Sequence, residues 1–195
     1  QKLEEEERVK EEAADNRSVS EKFADCLILG DSITQGLYEY GVLDEANVQA
    51  DRGTEVSEVS SKKIEEHIKK AKEMKPEVLF LAYGMNDIEA QNGNASGFVK
   101  AYKNVIEDLK ESLPDTKIYV NCILPAAQSA IETRPLFANV PKFNQKLKKL
   151  CKKEKVTFID NTDLVKQEYY ADDGIHMSPS YYTKWVDHMA EAAGL

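Results

Sequence analysis

The sequence predicts a doubly wound α/β fold, in which helices cover both faces of a parallel β-sheet. From residue 23 onward, short apolar runs alternate with longer segments whose apolar residues recur at helical spacing. Strands that are buried on both faces read as continuous apolar runs, and their alternation with helices is the pattern of βαβ units. The length of 195 residues suits one such domain, and 42% hydrophobic with 31% charged residues is typical of a soluble globular protein.

Five apolar runs are the strand candidates, and they occupy residues 23–29, 47–50, 77–83, 117–123 and 156–159. Four helical segments are predicted, at residues 56–74, 96–113, 140–154 and 178–194. Ser96 is the predicted N-cap of the second helix, because a serine hydroxyl can accept a backbone N–H of the first turn. Ser178 is the predicted N-cap of the fourth helix, with Pro179 at its first position.

The first 22 residues differ in character from the rest of the chain. Residues 1–22 are acidic, highly charged and poor in apolar side chains, so we interpret them as a charged helical stalk or linker before a domain at residues 23–195. The chain begins with Gln rather than Met. We therefore expect an upstream segment, an export signal or a membrane anchor, which the stalk joins to the domain.

The composition and charge of the chain argue against several classes of partner and of structural feature. The formal net charge is −9 and no basic stripe is evident, so no nucleic-acid partner is expected. No apolar run approaches the ~20 residues that a membrane-spanning helix needs. The three cysteines are too few and too widely spaced for a disulfide framework or a zinc site. Cys26 and Cys122 lie in apolar runs, which is typical of buried small hydrophobic residues.

Chemically useful side chains follow the predicted strands. Ligands of doubly wound sheets bind beyond the carboxyl ends of the strands. The segment "GDSITQG" places Ser32 just after the first strand, "ADRGTEV" places Gly53 after the second, and "YGMND" places Asn86 after the third. The segment "DDGIH" places Asp173 and His176 in the loop before the last helix. We expect these residues to meet in one crevice.

Together these residue types supply every role in the hydrolysis of an acyl ester. Ser32 is the candidate nucleophile, and it needs His176 within hydrogen-bond reach to take its proton. Asp173 lies three residues before His176, close enough to orient the imidazole through Nδ1–H. The backbone N–H groups of Ser32 and Gly53, with the Asn86 amide, are the candidate donors to the oxyanion.

Each fragment also has a simpler interpretation. Alone, "GDS" and "GMND" are typical of turns, and "DGIH" is typical of a surface loop. Only their joint position at strand ends favours catalysis. Of the other histidines, His67 is predicted to be a solvated helix residue, and His188 is expected to pack or to be hydrated on the last helix.

A metal site is the competing use of the acidic residues. One loop histidine with scattered carboxylates lacks the ligand spacing of known metal motifs. We therefore expect no metal and no cofactor at the candidate set, which comprises Asp31, Asp87, Asp172, Asp173 and His176.

The four motifs, in this order, resemble those of the SGNH (GDSL-type) hydrolase family and cover nearly the whole chain after residue 22. The resemblance implies a flavodoxin-like three-layer sandwich with five parallel strands. It also implies a triad of Ser32, Asp173 and His176, with Gly53 and Asn86 as further oxyanion donors. The acids of the first and third motifs, Asp31 and Asp87, are implied to be structural supports of the site loops.

Three further segments carry a less specific resemblance. The acidic stalk, "FADCLILGDSITQGLYEYG" and the "ILP…NVPKFNQ" region are similar to secreted, membrane-tethered members of the family in Gram-positive bacteria. This likeness implies an extracellular or cell-surface location, with a tether upstream of residue 1.

The substrate is expected to be a small ester. No long apolar lid is evident, which disfavours a long-chain lipase. Residues 125–141, the longest irregular stretch, follow the fourth strand and offer Arg134, Phe137 and Asn139 as candidate substrate contacts.

Aromatic residues near the motifs leave the binding of sugars open. Tyr38, Tyr40 and Tyr83 either stack on sugar rings or belong to the core. The predicted activity is removal of a small acyl group, such as acetyl, from a carbohydrate or another small ester. Two alternatives remain open, which are O-acyl transfer to a cell-wall glycan and a non-catalytic carbohydrate-binding module.

Overall fold

The computed structural model describes residues 16–59 and 62–195. Residues 1–15, most of the predicted stalk, lie outside this part, so the stalk and its upstream tether stay predictions. The first described helix is α1 (Val19–Lys22). Its Ser18 hydroxyl accepts the N–H of Glu21, whose carboxylate accepts the N–H of Ser18. No helix in the described ranges is both long and apolar enough to span a bilayer.

Five parallel strands form one sheet, and they are β1 (Cys26–Gly30), β2 (Val48–Ala50), β3 (Val78–Ala82), β4 (Lys117–Asn121) and β5 (Thr157–Ile159). Their order is β2-β1-β3-β4-β5. The register sets Gly30 beside both Ala50 and Ala82, so the first three strands end at the same level. The predicted doubly wound sheet is confirmed, and its carboxyl ends form one edge.

Helices cover both faces of the sheet, and they are α2 (Ser32–Glu39), α3 (Lys63–Met74), α4 (Met85–Ala90), α5 (Ala95–Ser112), α6 (Gln128–Thr133), α7 (Val140–Glu154) and α8 (Pro179–Ala193). One layer pairs α2 with α8, whereas in the other α5 packs against α3 and α7. The cap of α8 is at Ser178, with Pro179 at its first turn, as predicted.

The central strands are buried on both faces. Leu27, Leu79 and Leu81 have no exposed surface. Burial of one such side chain stabilises the fold by roughly 1.5–3 kcal/mol, so the sheet is a rigid platform for the loops at its edge. Cys26 and Cys122 are buried and unpaired with each other, as the sequence predicts.

Three local expectations differ from the structure. Helix α5 is capped by Asn94, whose side chain accepts the N–H groups of Ser96 and Gly97, so Ser96 is not the cap. The helix predicted from residue 56 begins at Lys63. Residues 125–141 are not irregular, because they contain α6 and a 3₁₀ helix (Pro135–Asn139). The buried Ala130 and Phe137 anchor these two short helices to the core.

Candidate active site

Ser32 is the first residue of α2, immediately beyond the end of β1. The preceding Asp31 is the N-cap, and its carboxylate accepts the N–H of Ile33 at 3.0 Å. The strand and helix meet closely here, because a Cβ on Gly30 would lie 1.9 Å from the Thr34 hydroxyl oxygen. The sequence thus forces a sharp strand-to-helix turn, which points a serine outward at the edge of the sheet.

His176 and Asp173 meet Ser32 at this edge. Ser32 Oγ lies 2.8 Å from His176 Nε2, and His176 Nδ1 lies 2.5 Å from Asp173 Oδ2. An aspartate at Nδ1 selects the tautomer with its proton there, which leaves Nε2 to accept the serine proton. The structure therefore brings together the three residues that the sequence proposes as a triad.

The loop that carries Asp173 is held by its backbone. Asp173 Oδ1 accepts the N–H groups of Ile175 and His176, each at 2.9 Å. Gly174 has a φ of 68°, and a Cβ there would lie 3.0 Å from that of Ala127. Partial burial raises the pKa of Asp173, but its hydrogen bonds with His176 and these N–H groups outweigh burial and lower the pKa overall. The carboxylate is therefore charged when the imidazole needs it.

Helix α8 fixes the other side of α2. The Tyr182 hydroxyl donates to the carbonyl of Ile33 at 2.7 Å. This contact needs Gly36, because a Cβ at that position would lie 2.1 Å from the Tyr182 ring. The residue after the candidate nucleophile is thus tied to the same helix that follows His176.

Asn86, the second residue of α4, lies beside the candidate triad. Its amide donates to the carbonyl of Thr54 at 3.1 Å and is 3.5 Å from Asp31 Oδ2. Gly84 precedes it with a φ of 129°, where a Cβ would lie 2.5 Å from Ile123. These contacts aim the amide at the cavity that also contains Ser32.

Gly53 lies in the turn that follows β2. Its φ is 77°, in the left-handed region, and an added Cβ would meet nothing within 4 Å. Backbone conformation, rather than lack of space, therefore explains the glycine at this position. Gly53 does not line the cavity, although its neighbour Thr54 is bonded to Asn86.

Asp31 and Asp87 are buried supports of these loops. Asp87 accepts the N–H groups of Val56 and Ser57, at 3.2 and 2.9 Å. Residues 56 and 57 thus form a loop bonded to α4, which is why α3 starts late. Burial is the main reason that the pKa of each aspartate is raised to about 6, and nearby N–H donors oppose that rise.

The match of most of the chain to a protein-family model decides the family. A model described as "GDSL-like Lipase/Acylhydrolase family" matches residues 28–184, from β1 into α8. The chain belongs to this family. Membership in the GDSL-like lipase/acylhydrolase family identifies the protein as a serine ester hydrolase. The resemblance carried by the sequence motifs is confirmed at this level.

Solved structures of GDSL-like and related esterases share the fold. A GDSL-like lipase from Bacteroides thetaiotaomicron has a TM-score of 0.67 at 16% identity, with 96% of each chain covered. A carbohydrate esterase family 3 protein from Talaromyces cellulolyticus has a TM-score of 0.66 at 16% identity, over 86% of this chain and 95% of that one.

A third similar structure is a catalytic mutant of an acetylxylan esterase from Geobacillus stearothermophilus. Its TM-score is 0.62 at 13% identity, over 87% of this chain and 94% of that one. At such low identities these likenesses show the fold. No curated protein sequence matches the chain.

The cavity of this GDSL-like hydrolase is small, with a volume of about 50 Å³. Arg134 and Phe137, two of the expected substrate contacts, line it with Met85 and Ile175. Arg134 lies 4.5 Å above the Phe137 ring and forms an ion pair with Glu89. The third expected contact does not line the cavity. Asn139 instead donates to the carbonyl of Leu136 at 2.9 Å.

His67 forms a polar cluster that the sequence interpretation missed. Its side chain is fully buried, so the prediction of a solvated residue is wrong. Nδ1 lies 2.7 Å from the Tyr83 hydroxyl, and Nε2 lies 2.9 Å from Asp51 Oδ2. The spacing of Ile64, His67 and Ala71 on one helix face was the available signal.

The charges within this cluster follow from its burial. Burial lowers the pKa of His67, and the hydrogen bond from His67 lowers the pKa of Asp51. A neutral imidazole therefore donates from Nε2 to the carboxylate and accepts the Tyr83 proton at Nδ1. Asp51 begins the loop that contains Gly53, so His67 holds one end of that loop, while Asp87 holds the other.

The remaining histidine and tyrosines also have defined places. His188 Nδ1 lies 2.9 Å from Asn161 Oδ1, so it packs on its helix through a hydrogen bond. Tyr83 belongs to the core, whereas Tyr40 is 47% exposed. Within residues 16–59 and 62–195, no three His, Cys, Asp or Glu side chains are grouped to hold a metal ion.

Proposed function

We propose that this GDSL-like hydrolase removes a small acyl group, such as acetyl, from a carbohydrate or another small ester. One observation carries the proposal. Ser32 Oγ, His176 and Asp173 form an unbroken hydrogen-bonded series, at 2.8 Å and 2.5 Å. A serine is a weak nucleophile at its ordinary pKa, so this series is the feature that makes it reactive.

In the proposed reaction, His176 Nε2 takes the proton of Ser32 as Oγ attacks the ester carbonyl. Asp173 stabilises the imidazolium and keeps its orientation through Nδ1–H. His176 then gives the proton to the departing alcohol, which leaves an acyl group on Ser32. A water molecule, deprotonated by the same imidazole, releases the acid and restores the serine.

The developing oxyanion needs donors that are fixed before the reaction starts. The Ser32 N–H lies at the first turn of α2, where backbone donors have no partner within the helix. The Asn86 amide directs one hydrogen to Thr54, and its second, which makes only a long 3.5 Å contact with Asp31 Oδ2, is proposed to turn to the oxyanion. Gly53 does not itself line the cavity; it is proposed as the third donor, through its backbone N–H, because its loop is tied to Asn86 by Thr54.

The small cavity supports a small acyl group. Its volume of about 50 Å³ is far below the roughly 300–1,000 Å³ of pockets that hold drug-sized ligands, which favours a small group. Met85, Phe137 and Ile175 give it an apolar wall against which a methyl group can pack. Two of the similar structures are named as a carbohydrate esterase and an acetylxylan esterase, in agreement with an acetylated carbohydrate.

Chain-length dependence tests the acyl group. Hydrolysis of p-nitrophenyl acetate, butyrate and octanoate is compared between the native protein, Ser32→Ala and Ser112→Ala. Ser112 is an exposed serine at the end of α5 and is the matched control. We expect kcat/KM to be highest for acetate, to be lost in Ser32→Ala and to be unchanged in Ser112→Ala. Equal rates on octanoate and acetate would contradict the proposal of a small acyl group.

The alcohol is tested with acetylated oligosaccharides, with and without free oligosaccharide as acceptor. Release of acetate at the same rate in both conditions supports hydrolysis. Appearance of acetylated acceptor would instead assign the protein to acyl transfer. Binding of the sugars with no turnover would instead support the alternative function, a non-catalytic carbohydrate-binding module.

A further inference from the structure

A groove rich in lysine lies between α5 and α7, on the outer face of their helical layer. Its volume is about 400 Å³, and Val99 and Leu150 contribute apolar surface to it. Five lysines line the groove, namely Lys100, Lys103, Lys146, Lys149 and Lys153.

Two further grooves of about 400 Å³ continue around the same corner of the protein. One lies between α7 and the edge strand β5 and is lined by Lys148, Lys149 and Lys152. The other lies at the amino ends of β4 and β5 and is lined by Lys110, Lys117 and Lys155. We call the three grooves together the lysine face.

The charges of the lysine face are mostly unbalanced. Among residues 16–59 and 62–195, none that lines the three grooves is acidic, although the formal charge of the whole chain is −9. Lys103 pairs with Glu107, and Lys110 pairs with Glu154. Lys149, Lys152 and Lys153 form no ion pair with any residue in the described part of the chain.

We propose that the lysine face binds a linear polyanion, a flexible polymer with a phosphate or carboxylate on each repeating unit. Unbalanced ammonium groups attract such a chain, and the counterions it releases drive binding. The proposal concerns binding and does not depend on the proposed esterase activity.

The shape of the lysine face favours a flexible polymer over a membrane or a nucleic-acid duplex. The three grooves turn from the outside of a helix layer to the amino ends of the strands. A planar bilayer or a stiff duplex contacts only one side of such a corner. Tyr40 and Val59 are the large apolar side chains exposed in the described residues, and neither lines these grooves to enter a bilayer.

The lysine face leads towards the cavity. Helix α7 starts just after the 3₁₀ helix that contributes Phe137 to the cavity. Lys142, Lys146, Lys149 and Lys153 follow at helical spacing, over about 16 Å of helix. The row therefore starts near the cavity and runs along α7 toward the amino ends of β4 and β5, the edge of the sheet opposite the cavity.

Binding is tested with long-chain inorganic polyphosphate and with polygalacturonate, which separate phosphate from carboxylate. The variant Lys100→Gln/Lys149→Gln/Lys153→Gln is compared with the control Lys70→Gln/Lys166→Gln/Lys184→Gln. The control lysines are exposed, lie outside the three grooves and give the same change of net charge. Titrations by calorimetry are repeated over a series of salt concentrations.

We expect the native protein to bind at least one of the polymers in a salt-dependent manner. The groove variant should lose tenfold or more in affinity, and its slope of log K against log salt should fall by about two. The control variant should stay within twofold of the native protein. A melting temperature that is unchanged in both variants shows that each is folded.

Three results would overturn the proposal. One is no binding of either polymer at low salt, and another is an equal loss in both triple variants. The third is binding to phosphatidylglycerol vesicles or to duplex DNA that is tighter than binding to either polymer.

Discussion

The cavity at the carboxyl ends of the strands and the lysine face around α7 use charge in opposite ways. In the cavity region each carboxylate is held by several groups, since Asp87 accepts two backbone N–H groups and Asp173 accepts two and contacts His176. On the lysine face the charges are numerous, exposed and mostly without an ion-pair partner among the described residues.

This difference separates two kinds of function. A few charged groups in fixed positions act through orientation, which affects the rate of a chemical step. Many mobile charges act through summed attraction, which affects association and is weakened by salt. Substitutions in the cavity should therefore change turnover, whereas substitutions on the lysine face should leave it unchanged.

The largest effect is expected at Ser32 and His176. Either residue changed to Ala should lower kcat by about 10⁴-fold or more, because each belongs to one proposed catalytic unit. The double variant should be little worse than either single one. Steady-state kinetics on p-nitrophenyl acetate measure this, with melting temperature as the check on folding. Turnover close to native in either single variant would exclude the triad.

The next largest effect is expected at Asn86. Asn86→Ala should lower kcat by ~10²–10³ with little change in KM, because its amide is proposed to bond the oxyanion and not the bound ester. Asn104→Ala, at an exposed position of α5, is the matched control. A change in KM alone would show that Asn86 binds the substrate in its ground state.

A smaller effect on turnover is expected at His67. In His67→Ala, Asp51 and Tyr83 lose their shared partner, which should lower the free energy of unfolding by about 1–3 kcal/mol. If the cluster also positions the loop of Gly53, kcat should fall by about tenfold with KM unchanged. Urea unfolding and steady-state kinetics separate the two effects. A loss of stability without any change in kcat would restrict His67 to a structural role.

The smallest effect concerns the pH dependence of stability at Asp87. Its folded-state pKa of about 6 lies above the ordinary value of 3.8. Between these values the unfolded chain has lost the proton while the folded protein retains it, so ionisation of Asp87 lowers stability as pH rises from about 4 to 6. The contribution is at most roughly 3 kcal/mol, since one pKa unit corresponds to 1.36 kcal/mol.

The substitution Asp87→Asn removes this pH-dependent contribution to the stability of the folded protein. The native protein should lose stability relative to the variant as pH rises from about 4 to 6, and the difference should then be constant up to pH 8. Asp115→Asn, at an exposed aspartate, should follow the native protein throughout. A difference that is independent of pH would mean that Asp87 keeps the same protonation state in the folded and unfolded forms.

The sequence was sufficient for the fold and for most of the residues that meet at the cavity, with Gly53 and Asn139 as the exceptions. Strand patterns gave all five strands, and the position of Ser32, Asn86 and His176 after strands predicted one crevice because parallel strands end at one edge. Local sequence patterns did not predict where α3 begins, because its start depends on hydrogen bonds between residues that are distant in sequence. Asp87 draws residues 56 and 57 out of the predicted helix, and no local signal reports that contact.

Two other features, the lysine face and the burial of His67, are hidden by properties averaged over the sequence. The net charge of −9 led us to expect no basic stripe, whereas the fold gathers lysines from α5, α7 and β5 on one corner. His67 was assigned to solvent because its neighbours in sequence are charged. Its position on the buried stripe of α3, with Asp51 and Tyr83 brought close by the sheet, determines its environment.

The contact between Ser32 and His176 joins residues 144 positions apart, and Tyr182 ties the next residue, Ile33, to α8. During translation the proposed nucleophile is therefore made early and its proposed base late. A nascent chain that has folded β1 to β5 still lacks His176 beside Ser32, so under the proposed mechanism it cannot acylate itself on esters it meets during synthesis. With the proposed triad, the order of the motifs along the gene places its last residue just before α8, so hydrolytic competence waits for the end of the chain.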